Sequence, residues 1–365
     1  MPAKVPLSYI PIDPAAIKQV LDQYGGVSHE LLISDFETRL GEFTHAKYVV
    51  ALNSGTAAIH LGLKAVGVKE NDEVLVSTFT YVATVNPILY LGARPVFIDV
   101  EENSWNMDPE LLEIAIKERI SKGVKPKVIL VVHNYGMPAM MEEIMTISNR
   151  YEIPVVEDAA EALGSKIGSK FVGTFGKIGI LSFNNNKILT TYGGGAILTD
   201  DNTLARKILF WAGQSRESKL FYEHKELGYN YRMGPLNAAV GLSKIAHLEN
   251  EIRERRESFE RYRQLLGKYG FEFQVEKPGF FSNRWLASAS LSNQPNIPIL
   301  VERLDRQGIE TRRVWNPMHK QPLFDRYDFL TKNHVSEDLF SKSICLPFHS
   351  GSEAATAAEI CKMLE

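Results

Sequence analysis

The stretch Lys127-Val-Ile-Leu-Val-Val-His133, followed by Met141 to Tyr151 and then by Ile153-Pro-Val-Val-Glu-Asp158, decides the fold. Its two flanking runs are short and apolar. The segment between them has the apolar spacing of a helix. Strands without polar alternation are covered on both faces, the habit of parallel sheets. Strand, helix and strand in that order make a crossover unit with two parallel neighbours. The same rhythm extends upstream. Strands are predicted at Tyr48–Leu52, Glu73–Ser77 and Arg94–Asp99, and helices from Asn53 to about Gly67, Tyr81 to Leu91, and Pro109 to about Lys122. Gly92 and Gly123 follow the last two helices, and Pro109 opens one of them. Downstream, Ile178–Phe183 is a further apolar run, Ala196–Thr199 reads as a strand, and Asp201 caps a helix to about Trp211. The expected class is α/β, a mostly parallel sheet covered on both faces. Ligands of such sheets sit beyond the carboxyl ends of the strands. Ser54, Ser77, His133 and Asp158 fall at or just past such ends.

Beyond this region the rhythm changes. Leu227 to Asn230 reads as a loop or short strand, and Asn237 to about Tyr269 as one long charged helix leading away from the sheet. The remainder mixes strand runs, Ile297–Leu300 and Ile344–Leu346, with helices over Pro298–Gln307 and Ser352–Glu365. This predicts a large domain over residues 1–245 and a smaller α+β domain over 246–365.

The chain has 365 residues, 44% hydrophobic and 23% charged, which suits an enzyme with a sizeable core. Its formal charge of −3 points to neither nucleic acid nor a membrane surface as a partner. Cys345 and Cys361 build no disulfide framework and no metal-ligand spacing, so a reducing cytoplasm is expected. The first residues lack a signal-peptide core, and no apolar run approaches membrane-spanning length. No G-x-S-x-G, H-E-x-x-H or C-x-x-C motif is present, and no metal is expected.

The segment with most chemical content is Ser182-Phe-Asn-Asn-Asn-Lys187. An apolar run leads to it, glycines 193–195 follow it, and Asp158 ends another apolar run upstream. A lysine between sheet and glycine loop, with a carboxylate at a neighbouring strand tip, suits a Schiff base to pyridoxal phosphate. A desolvated amine is a usable nucleophile toward an aldehyde. Taken alone, Lys187 reads as one more solvated lysine. Asp158 reads either as the partner of a protonated pyridine nitrogen or as a carboxylate satisfied by backbone amides. Ser54-Gly-Thr-Ala-Ala58 is either a plain N-cap or a phosphate cradle, with small residues at a positive helix N-terminus and the Thr56 hydroxyl as a further donor. Ser182 is a second candidate donor to a phosphate. Tyr81 either stacks on a cofactor ring or belongs to the core. Glu161, one helical turn past Asp158, either contacts the ring hydroxyl or lies on the surface. His133 sits either beside a cofactor or in a structural role.

With these residues assembled, the chain resembles the DegT/StrS-type sugar-nucleotide aminotransferases of the aspartate-aminotransferase fold, from about Phe36 to its last residue. The matching segments are Asn53-Ser-Gly-Thr-Ala-Ala58, Glu157-Asp-Ala-Ala-Glu-Ala162, Gly176 through Gly195 with Asn186-Lys187, and Gly228-Tyr-Asn-Tyr-Arg-Met233. The resemblance implies a fold type I pyridoxal-phosphate (PLP/PMP) transferase. It implies the Schiff base on Lys187, the pyridinium partner on Asp158 and ring stacking on Tyr81. It implies Glu161 near the ring, and phosphate contacts from the Gly55–Ala57 turn (Gly55, Thr56, Ala57) and Ser182. Asn230 falls where the family reaches the other subunit's phosphate, which implies a homodimer with shared sites. A closer likeness, to 4-aminotransferases of UDP-linked 4-keto-6-deoxy-N-acetylglucosamine, is carried by Gly173-Thr-Phe-Gly176, Tyr222-Glu-His224, Ser282-Asn-Arg-Trp285, Glu310-Thr-Arg312, Trp315-Asn-Pro-Met-His319 and Ile344-Cys-Leu-Pro347. It makes Arg216, Arg232 and Arg284 candidates for a diphosphate, and Trp285, Trp315 and His319 candidates for a sugar or base pocket. A nucleotide sugar and L-glutamate are then the expected substrates. The sequence departs from the family pattern at the irregular segment Gln23 to Glu37, at the middle Asn of Asn184-Asn-Asn186, and at Gly193, where many members have Glu. Lys187 stands against the related sugar 3-dehydratases, which carry His there. A 3-keto aminotransferase and a non-catalytic regulator remain as alternatives.

Overall fold

Val128–Val132 is buried at every residue, as is Val155–Asp158, so both runs become central strands. The computed structural model describes residues 5–8, 10–25, 29–291, 296–348 and 351–364. Residues 26–28 of the irregular N-terminal segment, and the final residue of the last predicted helix, lie outside these. In chain order, α1 (Pro14–Gln23) and α2 (His29–Thr44) precede β1 (Tyr48–Leu52), α3 (Gly55–Ala65), β2 (Glu73–Ser77), α4 (Val82–Tyr90) and β3 (Arg94–Ile98). Then come α5 (Pro109–Ser121), β4 (Val128–Val132), α6 (Met141–Tyr151) and β5 (Val155–Asp158). The short strands β6 (Lys166–Ile167) and β7 (Lys170–Phe171) lead to β8 (Ile178–Ser182), β9 (Gly195–Thr199), α7 (Asn202–Ala212), α8 (Pro235–Ile245) and α9 (Leu248–Leu266). The rest holds β10 (Phe271–Phe273), β11 (Phe280–Phe281), β12 (Ala287–Leu291), α10 (Ile297–Arg306), β13 (Arg312–Arg313) and β14 (Phe329–Leu330). It closes with α11 (Val335–Lys342), β15 (Ser343–Leu346) and α12 (Glu353–Leu364).

Eight strands form one sheet in the order β1-β9-β8-β5-β4-β2-β3-β14. Of these, β9 alone runs against the others. The register brings the carboxyl ends together: Leu52 and Ser182 both pair with Gly195, Val132 pairs with Asp158, and Ser77 with Ile98. Alternate side chains serve opposite faces. Val76, Leu130, Val156 and Ile180 pack with Ile59, Leu63, Ile88 and Ile208 of α3, α4 and α7. Leu75, Ile129, Val131 and Val155 pack with Leu112, Ile116 and Ile144 of α5 and α6. Each such apolar side chain contributes roughly 1.5–3 kcal/mol on burial. Asp108 and Asp201 cap α5 and α7 by accepting amide protons of their first turns.

A separate antiparallel sheet, β10-β12-β15-β13, packs with α9, α10 and α12 around Tyr262, Leu266, Leu304, Ile344 and Ile360. Three features differ from the sequence reading. The long helix Asn237–Tyr269 is two helices and a short turn. It breaks at Ala246–His247, where the His247 backbone (φ −105, ψ 3) leaves the helical region. The apolar period runs straight through that break, so it leaves no mark on the sequence. Ile297–Leu300 is not a strand but the first turns of α10, because Asn296 caps it by accepting from the Ile299 amide and Pro298 opens it. Phe329–Leu330, far down the chain, joins the large sheet beside β3. Among the described residues, no helix is long and apolar enough to cross a membrane, and no group of three or more His, Cys, Asp or Glu side chains is placed to hold a metal ion.

Candidate active site

The carboxyl-end edge of the sheet collects most of the chemistry. β1 ends at Leu52, and Ser54 caps α3 by accepting the Ala57 amide proton at 3.0 Å. Ser54 thus caps the helix, and Ala57, expected as a phosphate contact, gives its N–H to Ser54. Gly55 and Thr56 stand at the same helix end. A Cβ at Gly55 would lie 3.0 Å from the Ser182 Cβ, and one at Gly195 would lie 2.5 Å from the Ser54 carbonyl carbon. The first turn of α3 thus nests against β8 and β9 at a distance only glycines allow. This brings Gly55, Thr56 and Ser182 into one cradle at a helix N-terminus, a natural anion seat.

The adjacent acids of β5 divide between the two sheet faces. Glu157 accepts from the Gly173 and Gly176 amides at 2.8 and 2.6 Å and from His133 Nε2 at 3.0 Å. His133 Nδ1 accepts from the Ala139 amide at 3.0 Å, so its proton sits on Nε2. That settles His133 as structural. Asp158 faces the other way, accepting from Thr84 Oγ1 at 2.8 Å and the Ala160 amide at 3.1 Å. Burial pushes its carboxyl above the usual range, while the Thr84 and Ala160 bonds and the Lys187 charge oppose that rise.

Glu161 is not on a helix or on the surface. It is buried in a turn, with Oε2 accepting the Tyr135 amide at 2.8 Å and Oε1 3.5 Å from Lys187 Nζ. Burial raises its carboxyl, and the Lys187 charge opposes the rise. Lys187 Nζ also lies 4.2 Å from the centre of the Trp285 ring, with its side chain 13% exposed. Trp285 is fixed by its Nε1 proton, donated to the Asn186 carbonyl at 2.7 Å. Tyr135, Trp285 and Trp315 form a triangle of near-parallel rings, with Tyr135 at interplanar angles of 14° and 13° to the two indoles and the indoles 6.5 Å from each other. The Trp315 amide donates to the Tyr135 hydroxyl at 2.9 Å. Tyr81, 53% exposed, leans on Trp315 at 5.2 Å. Lysine, two carboxylates and an aromatic wall therefore converge beyond the strand tips, next to the cradle.

Residues 14–365 match the DegT/DnrJ/EryC1/StrS aminotransferase family. The chain belongs to that family. It is 45% identical to EpsN of Bacillus subtilis (strain 168) over 88% of this chain and 83% of that one. It is 35% identical to a GDP-perosamine synthase of Escherichia coli O157:H7, over 95% and 93% of the two chains. The crystal structure of a DegT DnrJ EryC1 StrS aminotransferase from Brucella abortus superposes with a TM-score of 0.88 at 31% identity, covering 96% of this chain and 94% of that one. The protein is thus a fold type I, pyridoxal-phosphate-dependent aminotransferase.

The side chains present fit that cofactor. The helix N-terminus at Gly55 and Thr56, beside Ser182, suits a phosphate, Asp158 offers a buried carboxylate to a ring nitrogen, and Lys187 offers an amine 3.5 Å from the Glu161 carboxylate. Other residues singled out in this aminotransferase's sequence are engaged elsewhere. His319 has both ring nitrogens occupied, Nδ1 by Thr78 Oγ1 at 2.7 Å and Nε2 by Glu337 at 3.3 Å, and it stacks on Phe329 at 3.6 Å. Arg284 lies buried over Phe259 at 3.7 Å, donates to the Gln274 carbonyl and pairs with Glu276. Desolvation lowers its pKa to about 10. Arg232 binds Glu37 at 3.0 Å and the Ala51 carbonyl at 3.2 Å. Arg216 lies over Tyr222 on an exposed loop. Asn230 is exposed, and its carbonyl accepts from Asn53. Thr84, Tyr135 and the place of Trp285 under Lys187 were not visible in the sequence. Their only signals were position, Thr84 three residues past Tyr81 and Tyr135 two past His133.

Proposed function

We propose that the protein transfers an amino group from L-glutamate to C4 of a UDP-linked 2-acetamido-2,6-dideoxy-4-keto-hexose, with Lys187 as its catalytic residue. The observation that carries this reading is the convergence of Lys187, Glu161 and Asp158 beyond the strand tips. Pyridoxal phosphate, when bound, supplies an electron sink for the carbanion at the amino-bearing carbon. Asp158 faces the ring nitrogen and holds its positive charge. Tyr81 covers one ring face. Gly55, Thr56 and Ser182 hold the phosphate. Lys187 Nζ moves the proton between the donor's Cα and the cofactor's C4′ as general acid and base. Glu161 balances the charged form of that amine. Asn230 of each subunit reaches the phosphate in the other, so the active unit is a cytoplasmic homodimer, each chain dividing near residue 245.

The C4 preference is supported by the Trp315-Asn-Pro-Met-His319 block. The UDP and acetamido preferences rest on the sequence blocks alone. The test is mass spectrometry and NMR of products from UDP-, dTDP- and GDP-linked keto sugars with glutamate. The expected product is a UDP-linked 4-amino sugar. A product aminated at C3, or turnover confined to GDP sugars, overturns the substrate assignment.

A further inference from the structure

A chain of hydroxyls ends on Asp158. Thr84 lies in the first turn of α4, buried, with Oγ1 2.8 Å from Asp158 Oδ2. The same Oγ1 is 2.7 Å from Oγ1 of Thr80, which is also buried. An ionised carboxylate only accepts, so Thr84 donates its one proton to Asp158. Thr80 must then donate to Thr84. The two protons have one arrangement as long as Asp158 is charged. The same helix end carries Tyr81, whose carbonyl accepts the Thr84 amide at 3.0 Å. One turn of backbone therefore holds both the ring-stacking residue and the group that orients the carboxylate.

We infer that Thr84, backed by Thr80, is a positioning residue that aims the Asp158 carboxylate, keeps it charged for the cofactor's ring nitrogen, and ties it to the helix end bearing Tyr81. This rests on the proposed role of Asp158. Burial favours the neutral carboxyl, and the Thr84 hydrogen bond is the foremost effect opposing it. A bond to a charged, buried acceptor is among the stronger ones, and removing it changes an equilibrium by about ten- to hundred-fold.

The experiment compares Thr84→Val, Thr84→Ser, Thr80→Val and Asp158→Asn in the cofactor-loaded enzyme. It reads the dissociation constant of pyridoxal phosphate by fluorescence titration, the pH profile of the bound cofactor's absorbance, and the rate of the glutamate half-reaction. Thr84→Val is expected to weaken cofactor binding about ten- to hundred-fold, shift the absorbance profile and slow the half-reaction. Thr84→Ser, which keeps the hydroxyl, returns all three to near wild type. Thr80→Val shows a smaller loss in the same direction and carries the test if Thr84→Val fails to fold. Wild-type values in Thr84→Val and Thr80→Val beside a large loss in Asp158→Asn overturn the inference and leave the reading of Asp158 standing. Equal losses in Thr84→Val and Thr84→Ser also overturn it. Wild-type values in Asp158→Asn overturn the role of Asp158 itself.

Discussion

The loop bearing Lys187 and the segment from Trp315 to Glu337 meet through one aromatic wall, but they treat their polar atoms in opposite ways. Lys187 has a carboxylate at 3.5 Å and a ring face at 4.2 Å from its amine. His319, in contrast, is bonded on both nitrogens and stacked on a third side. Burial lowers the His319 pKa, and Glu337 opposes that drop. Glu337 also serves His334 and Lys320, and these partners outweigh its own desolvation and hold its carboxyl near 2. The difference teaches that residue type alone is a poor guide to role. Lys187, the side chain proposed to react, has fewer polar partners than His319, which is committed on both nitrogens.

The largest test of that contrast sets Lys187→Ala against His319→Asn. Losing the amine is expected to reduce turnover by on the order of 10⁴-fold. His319→Asn keeps a polar group near Thr78 and is expected to cost no more than about ten-fold in kcat. Steady-state kinetics with glutamate and a keto sugar decides it, and comparable losses in the two variants break the distinction. A second test concerns the cradle beside Lys187. Gly195→Ala forces a methyl against the Ser54 backbone at 2.5 Å and is expected to cost about 1–3 kcal/mol in urea unfolding, with weaker cofactor retention. Gly123→Ala, with nothing within 4 Å of the added carbon but a φ of +82°, is expected to cost only about 1 kcal/mol.

The smallest effect sharpens the comparison with another histidine. His60 is buried against Tyr229 and Tyr231, and burial first, then the Lys64 charge, lowers its pKa to about 4. The unfolded chain takes up that proton near 6.5, roughly the ordinary value. Between those two values the unfolded state binds more protons, so stability is complete above about 6.5 and falls as pH drops toward 4. Thermal unfolding of His60→Phe is expected to lose about 2 °C less than wild type across that window. Equal losses in both proteins would remove His60 from the account.

Much of this was legible in the sequence for a definite reason. Strands buried on both faces leave unbroken apolar runs, and the crossover helices between them leave a 3.6-residue period, so the parallel sheet and its carboxyl-end edge could be read directly. Asp158 and the Ser54–Ala57 turn were placed at that edge by the strand ends, while their roles and that of Ser182 came from the family resemblance. The helix break at His247 could not be read, because the hydrophobic period continues across it. Neither could the strand Phe329–Leu330, whose partner β3 lies far up the chain.

The sequence by itself determined the fold class and the set of groups at the strand tips, since local periodicity and strand ends are local properties. Only the tertiary structure decided which of those groups are already satisfied. It turned Glu157 and His133 into a structural pair, buried Glu161 beside Lys187, locked His319 and Arg284 to their own neighbours, and set Thr84 against Asp158. Hydrogen bonds between residues far apart in the chain make those choices, and no local pattern records them.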